Sequence, residues 1–117
     1  MDDAQFDDEA LDGSTHLLAV HGELDLATVG ELRRRIAAAF GTGAQQLVID
    51  LSRVTHMDST GLAELISAHQ RAMELRGRLI LVVTSASIRR TLEIRGVVNL
   101  FTIAESRDDA LAALAPG

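Results

Sequence analysis

Two short apolar runs, Leu47-Val48-Ile49-Asp50-Leu51 and Leu79-Ile80-Leu81-Val82-Val83, flank a segment patterned as a helix, and this arrangement most constrains the fold. Neither run alternates apolar with polar residues, as a strand with one wet face would. Both therefore read as central strands buried on two faces. Between them, about Thr60 to Leu75, the residues Leu62, Leu65, Ile66, His69 and Met73 fall on one helical stripe, and Gly77 is placed to terminate the helix. Parallel strands cannot be joined by a tight turn, so strand, helix and strand form a right-handed crossover.

The flanking segments extend this pattern. Thr15 to His21 reads as a strand, and Asp12-Gly13 before it is a two-residue hairpin signal that makes Ala4 to Leu11 its partner. Residues 1–12 carry Asp2, Asp3, Asp7, Asp8, Glu9 and Asp12 without a basic residue. Their charges suit an edge strand that must resist aggregation, and the alternative is an acidic tail. A first helix covers about Ala27 to Phe40, with Val29, Leu32, Ile36 and Ala39 or Phe40 on one face. Its cap is either Thr28, at capping-box spacing from Glu31, or Asp25. Gly41-Thr42-Gly43 ends it.

Beyond Val83, Ser85-Ala86-Ser87 offers caps for a short helix over Ile88 to Arg95, stopped by Gly96. Val97 to Ile103 holds a last strand. Ser106 and Asp109 have capping-box spacing and open a final helix that docks through Leu111 and Leu114. The order is β-β-α-β-α-β-α-β-α, a mixed α/β sheet with its helices mainly on one face because the first two strands form a hairpin. At 117 residues, 47% of them hydrophobic, residues 1–117 are expected to make a single domain around one core.

Composition removes several functions. Cysteine is absent, which excludes disulfides, thiol catalysis and cysteine-ligated zinc. The net charge is −6, and outside residues 1–12 the acidic and basic residues balance at 11 each. A chain without a basic field or interleaved aromatics is not a nucleic-acid binder, and the cluster Arg33-Arg34-Arg35 is explained by a solvated helix face. No apolar run approaches the roughly 18 residues of a membrane span, and the start is acidic, so a cytoplasmic protein without membrane contact is expected. Gly41-Thr42-Gly43 is not followed by Gly-Lys-Ser/Thr, so no nucleotide loop is present. His16, His21, His56 and His69 lack metal-ligand spacing, and His69 reads as a core histidine. Ser59 lies outside any G-x-S-x-G elbow, which leaves a serine hydrolase unsupported.

The segment Asp58-Ser59-Thr60-Gly61-Leu62 opens the second helix. Free backbone N–H groups and the helix dipole favour an anion there, so a phosphate on Ser59 would be locally stabilised. The same residues are also ordinary helix caps, and local pattern alone does not separate the two readings.

The surrounding residues add a resemblance. Leu51-Ser52-Arg53-Val54-Thr55-His56-Met57-Asp58-Ser59-Thr60-Gly61-Leu62 resembles the signature of the STAS domain, in particular the stand-alone bacterial anti-sigma factor antagonists. His21-Gly22-Glu23-Leu24-Asp25 resembles the family's G-E-L-D turn, and Ile88 to Leu114 follows its C-terminal half, so the likeness spans roughly residues 14 to 115.

The resemblance implies a partner switch and not an enzyme, with no cofactor and no metal of its own. In such proteins the serine matching Ser59 is phosphorylated by an anti-sigma factor serine kinase. The unmodified form binds that kinase and releases the sigma factor, phosphorylation ends binding, and a PP2C-type phosphatase resets the serine. Ser59 is then the acceptor, with Thr60 the secondary candidate, and Asp25, Asp58, Ser59, Thr60 and Gly61 form the partner-binding set. Gly61 would let another backbone approach closely. Met57 and Leu62 would anchor the turn to the core, and Asp50, at the end of its strand, would support the loop. His56 stands where the family commonly has a large apolar or aromatic residue, and it reads as a packing residue or a group sensitive near neutral pH. The alternative within the family is a scaffold of a sensory complex or an accessory subunit of a lipid transporter.

Overall fold

In the computed structural model, which describes residues 5–115, the alternation resolves into one five-stranded sheet and four helices. The elements are β1 (Gln5–Ala10), β2 (Thr15–Leu24), α1 (Val29–Gly41), β3 (Gln46–Met57), α2 (Ser59–Glu74), β4 (Arg78–Val82), α3 (Ala86–Ile94), β5 (Thr102–Ala104) and α4 (Arg107–Leu114). Strand order is β1-β2-β3-β4-β5; β1 runs antiparallel to β2, and the other neighbours are parallel. Residues 1–4 and 116–117 lie outside the described residues.

The uninterrupted apolar runs are explained by cover on both faces. Leu47, Ile49, Leu51, Leu79 and Leu81 join Leu18 and Val20 against α1, α2 and α3. Val48, Ile80 and Val82 face the other way, onto Ala110 and Leu114 of α4. Three helices thus share one face and the fourth lies on the other. The acidic leader forms an edge strand from Gln5 onward: Phe6 packs on the core under the Arg35 guanidinium, and Asp8 accepts a hydrogen bond from Arg35 Nη1 at 3.1 Å.

Several local expectations change in the structure. The β1–β2 connection is not a two-residue turn. Leu11 to Ser14 form a four-residue loop in which Asp12 Oδ1 accepts from Ser14 N at 2.7 Å and Thr15 N at 2.8 Å. The Thr28–Glu31 capping box does not form, because Glu31 pairs with Arg34 and Arg35 while the Thr28 hydroxyl turns back to Glu23 O. On α2 the buried residues are Gly61, Leu62, Leu65, Ala68 and Ala72, so the inward stripe is set one position from that expected and Met73 is 60% exposed. Two alanines at that interface let α2 lie close to the sheet. Leu111 is likewise exposed, and Ala110 fills its place.

The helix end before β4 also differs. Arg76, with φ 60°, takes the left-handed position, whereas Gly77 serves a close approach: a Cβ there would lie 1.6 Å from Gln45 O. The last strand is only three residues, since 97–100 form turns after Gly96, whose φ is 73°. Asp50 is not at a strand end, because β3 continues to Met57. It lies mid-strand on the α4 face.

Candidate functional site

The extension of β3 builds the site. Past Asp50 the strand has no β4 partner, yet it continues beside β2 through Arg53, Val54, His56 and Met57, paired with His21, Gly22, Glu23 and Leu24. The register shifts twice along this ribbon, and Gly22 takes a φ of 87°, a backbone state that glycine adopts without steric cost. Two distant sequence motifs therefore end side by side, the G-E-L-D turn on β2 and the Asp58 turn on β3. The Asp58 N–H donates to Leu24 O at 3.0 Å and ties one turn to the other.

Asp58 caps α2 with a single oxygen. Its Oδ1 accepts from Thr60 N at 2.9 Å, Gly61 N at 3.2 Å and the Thr60 hydroxyl at 2.5 Å. Those bonds, that of the Thr60 hydroxyl foremost, hold its carboxyl below the usual carboxylate range. Leu62 N donates to Asp58 O at 3.1 Å, and Met57 and Leu62 are buried, so the turn is anchored to the core as expected.

The two hydroxyls differ sharply. Thr60 is half-buried and its Oγ1 is bound to Asp58, whereas Ser59 is exposed and its hydroxyl makes no hydrogen bond among the described residues. Gly61 is buried, and a Cβ on it would stand 2.9 Å from Leu24 Cβ, 2.9 Å from Leu24 O and 3.2 Å from Met57 Cγ. The backbone it admits is thus that of Leu24 in the same chain.

Asp25 organises the neighbouring turn. Its Oδ1 accepts from Ala27 N at 3.0 Å and Thr28 N at 3.2 Å, and its own N–H donates to Thr28 Oγ1 at 3.0 Å. Thr28 Oγ1 in turn donates to Glu23 O at 2.7 Å. His56 is exposed and does not pack in the core; it neighbours Glu23 across the β2–β3 ladder. His69 lies edge-on to Phe101, with ring centroids 5.7 Å apart, and its buried Nδ1 has no hydrogen-bond partner among the described residues.

Asp50 has a separate role. It is 5% exposed and accepts from Arg107 Nε at 2.6 Å and Ser52 N at 2.9 Å. Burial alone would raise its carboxyl, but these bonds more than offset that and hold it below the ordinary range. It fixes the first turn of α4 to the sheet, away from Ser59. Sequence reasoning missed Arg107, whose partner is 57 positions away.

Comparison with known proteins decides the family. Residues 8–110 match the STAS domain family. This chain belongs to the STAS domain family. The anti-sigma-B factor antagonist of Staphylococcus aureus is 30% identical over 89 residues, which cover 76% of this chain and 82% of that one. The crystal structure of an anti-sigma factor antagonist from Mycobacterium paratuberculosis superposes with a TM-score of 0.86 and 29% identity, covering 96% and 94% of the two chains. The fold is also that of the anti-sigma factor antagonist SpoIIAA in its unphosphorylated form, with a TM-score of 0.80, 24% identity and coverage of 93% and 95%. No helix of the described residues is long and apolar enough to cross a membrane.

Proposed function

We propose that this STAS protein is an anti-sigma factor antagonist whose binding is switched by phosphorylation of Ser59. Unmodified, it binds an anti-sigma factor serine kinase and so frees a sigma factor. Phosphorylation of Ser59 ends that binding, and a PP2C-type phosphatase restores it. The observation that carries the site assignment is the contrast between the two hydroxyls, one solvent-exposed on Ser59 and one held by Asp58 on Thr60. A kinase must reach an oxygen that is free to attack, and Thr60 would first have to give up its bond to a carboxylate.

The electrostatics fit a charge switch. A phosphoserine adds about −1.5 to −2 charges at pH 7. Asp58 is the adjacent residue, and Asp25 lies in the turn tied to it through Leu24. An interface closed over a neutral hydroxyl would meet like-charge repulsion and a desolvation cost once the phosphate is present. Asp25, Asp58, Ser59 and Thr60 form the contact set, and buried Gly61 shapes it from below.

Incubation with the cognate anti-sigma factor kinase and Mg-ATP, followed by peptide mass spectrometry, tests this reading. One phosphate on Ser59 is expected, with none on Ser59→Ala. Modification confined to Thr60, or none from an active kinase, would overturn it.

A further inference from the structure

We propose that Leu26 is the apolar anchor of the partner contact, seated in an apolar socket of the anti-sigma factor whose rim is basic on the side facing Glu23 and Asp25. The inference rests on the function proposed above and adds to it a residue and the chemistry of the partner's surface. Leu26 is 76% exposed, more than any other large hydrophobic side chain among the described residues. A single exposed leucine is ordinary on a protein surface. Three further observations set this one apart.

The first is rigidity. Leu26 lies in a turn whose hydrogen bonds are satisfied from both sides: Asp25 Oδ1 takes Ala27 N and Thr28 N, Asp25 O takes Val29 N at 2.9 Å, and Thr28 Oγ1 bridges Asp25 N and Glu23 O. The backbone of Leu26 is fixed before any partner arrives. An anchor on a backbone held in this way has less main-chain freedom to lose on binding, which lowers the cost of association.

The second is position. Leu24, two residues earlier, accepts the Asp58 N–H and packs on Gly61, so the Leu26 turn is tied to the Ser59 turn. The other exposed large apolar residues among those described lie on other elements: Met73 and Leu75 are at the far end of α2, about 20 Å along its axis from Ser59, Ile94 ends α3, Leu100 lies in the turn before β5 and Leu111 is on α4. The third is charge. Exposed Glu23, together with Asp25 and Asp58, surrounds the anchor's turn with carboxylates at this end of the β2–β3 ribbon, where His56 is the basic neighbour of Glu23. A complementary surface therefore presents an apolar socket with Lys or Arg on the side facing Glu23 and Asp25 and no cation over Ser59, where it closes on the neutral hydroxyl. Phosphate on Ser59 then meets no cation and must be desolvated in a contact made for a hydroxyl.

Calorimetric titration of the anti-sigma factor kinase with wild type, Leu26→Ser and Leu26→Met tests the proposal, with thermal melting as the fold control. Leu26→Ser should weaken binding about 10- to 100-fold and raise the KM for Ser59 phosphorylation with kcat held, while Leu26→Met stays within about threefold. Wild-type affinity should fall as salt is raised. Equal affinity of Leu26→Ser and wild type overturns the anchor and leaves the proposed function standing, and salt-independent binding overturns the basic rim. A wild-type chain that is neither bound nor phosphorylated overturns the function and the anchor with it.

Discussion

Replacing Gly61 with Ala would place a methyl group 2.9 Å from Leu24 Cβ and Leu24 O and 3.2 Å from Met57 Cγ, where carbon atoms ordinarily rest about 3.5–4.0 Å apart. Neither neighbour is free to retreat. Leu24 is fully buried, and its carbonyl accepts the Asp58 N–H at 3.0 Å, so relief must part β2 from the start of α2. Overpacking of this kind costs about 1–3 kcal/mol. Against it stands the helix preference of Ala over Gly, about 0.5–1 kcal/mol. The net loss is about 1–2 kcal/mol, a fall in Tm of about 4–8 °C for a domain of this length. Gly30 in α1 is the internal control, since a Cβ there meets nothing within 4 Å. Gly30→Ala should raise Tm by about 2–4 °C. Thermal unfolding followed by circular dichroism would measure both, and the prediction is one of opposite sign for the same chemical change. If Gly61→Ala is as stabilising as Gly30→Ala, the close approach of the two turns is refuted.

Arg107→Ala leaves the buried Asp50 carboxylate with Ser52 N alone and should cost about 1–2 kcal/mol at pH 7, less than a fully buried pair because Arg107 is half exposed. Asp50 is held below its unfolded value, so its contribution is present above that value and lost as pH falls through the folded one; without Arg107, burial raises the carboxyl and acid unfolding monitored by circular dichroism should begin at higher pH. Deleting residues 1–11 removes Phe6 from the core and the β1 ladder from β2, and should lower the urea midpoint and speed hydrogen exchange in β2; an unchanged midpoint would show the edge strand to be dispensable. Ser59→Asp should weaken binding to the anti-sigma factor in calorimetry without changing the fold, and less than phosphate does, because it adds one charge and not two.

The parts of this fold legible in the sequence were those in which local pattern and tertiary environment agree. Leu47–Leu51 and Leu79–Val83 are apolar on both sides because helices cover both sides, so the pattern itself reports the layers. The caps at Asp58, Ser85 and Ser106 were legible because each acts within three residues of its donors. What escaped depends on distant partners. Little that is local shows β3 running to Met57, since Ser52, Arg53, Thr55 and His56 are polar, the strand past Asp50 pairs with β2 and not with β4, and of residues 52–56 only Val54 enters the core. Met73 was expected inside because it is apolar at helical spacing, but the tight packing of Ala68 and Ala72 on the sheet sets the inward face. Thr28 and Glu31 had the right spacing for a capping box and were recruited instead by Glu23 and by two arginines. The candidate site was legible in its residues and not in its assembly: Asp25 and Asp58 are joined by the β2–β3 ribbon, whose two register shifts leave no mark except Gly22.

The way Asp58 caps α2 also bears on how a phosphate at Ser59 can act. The N–H groups of Thr60 and Gly61, which would otherwise cradle an anion, are already taken by Asp58 Oδ1, and the Leu62 N–H is taken by its main-chain oxygen. A phosphate on Ser59 therefore finds the favourable field of the helix start but few donors to recruit, and it gains little by rearranging the turn. Its neighbours are likewise fixed, Met57 and Leu62 by burial and Leu24 by its bond to Asp58. A modification shifts a binding equilibrium only through a difference in free energy between the states it joins. On the switch proposed above, with the donors of the turn already engaged, that difference is expected to arise in the complex, where about two added charges meet a surface shaped for a hydroxyl.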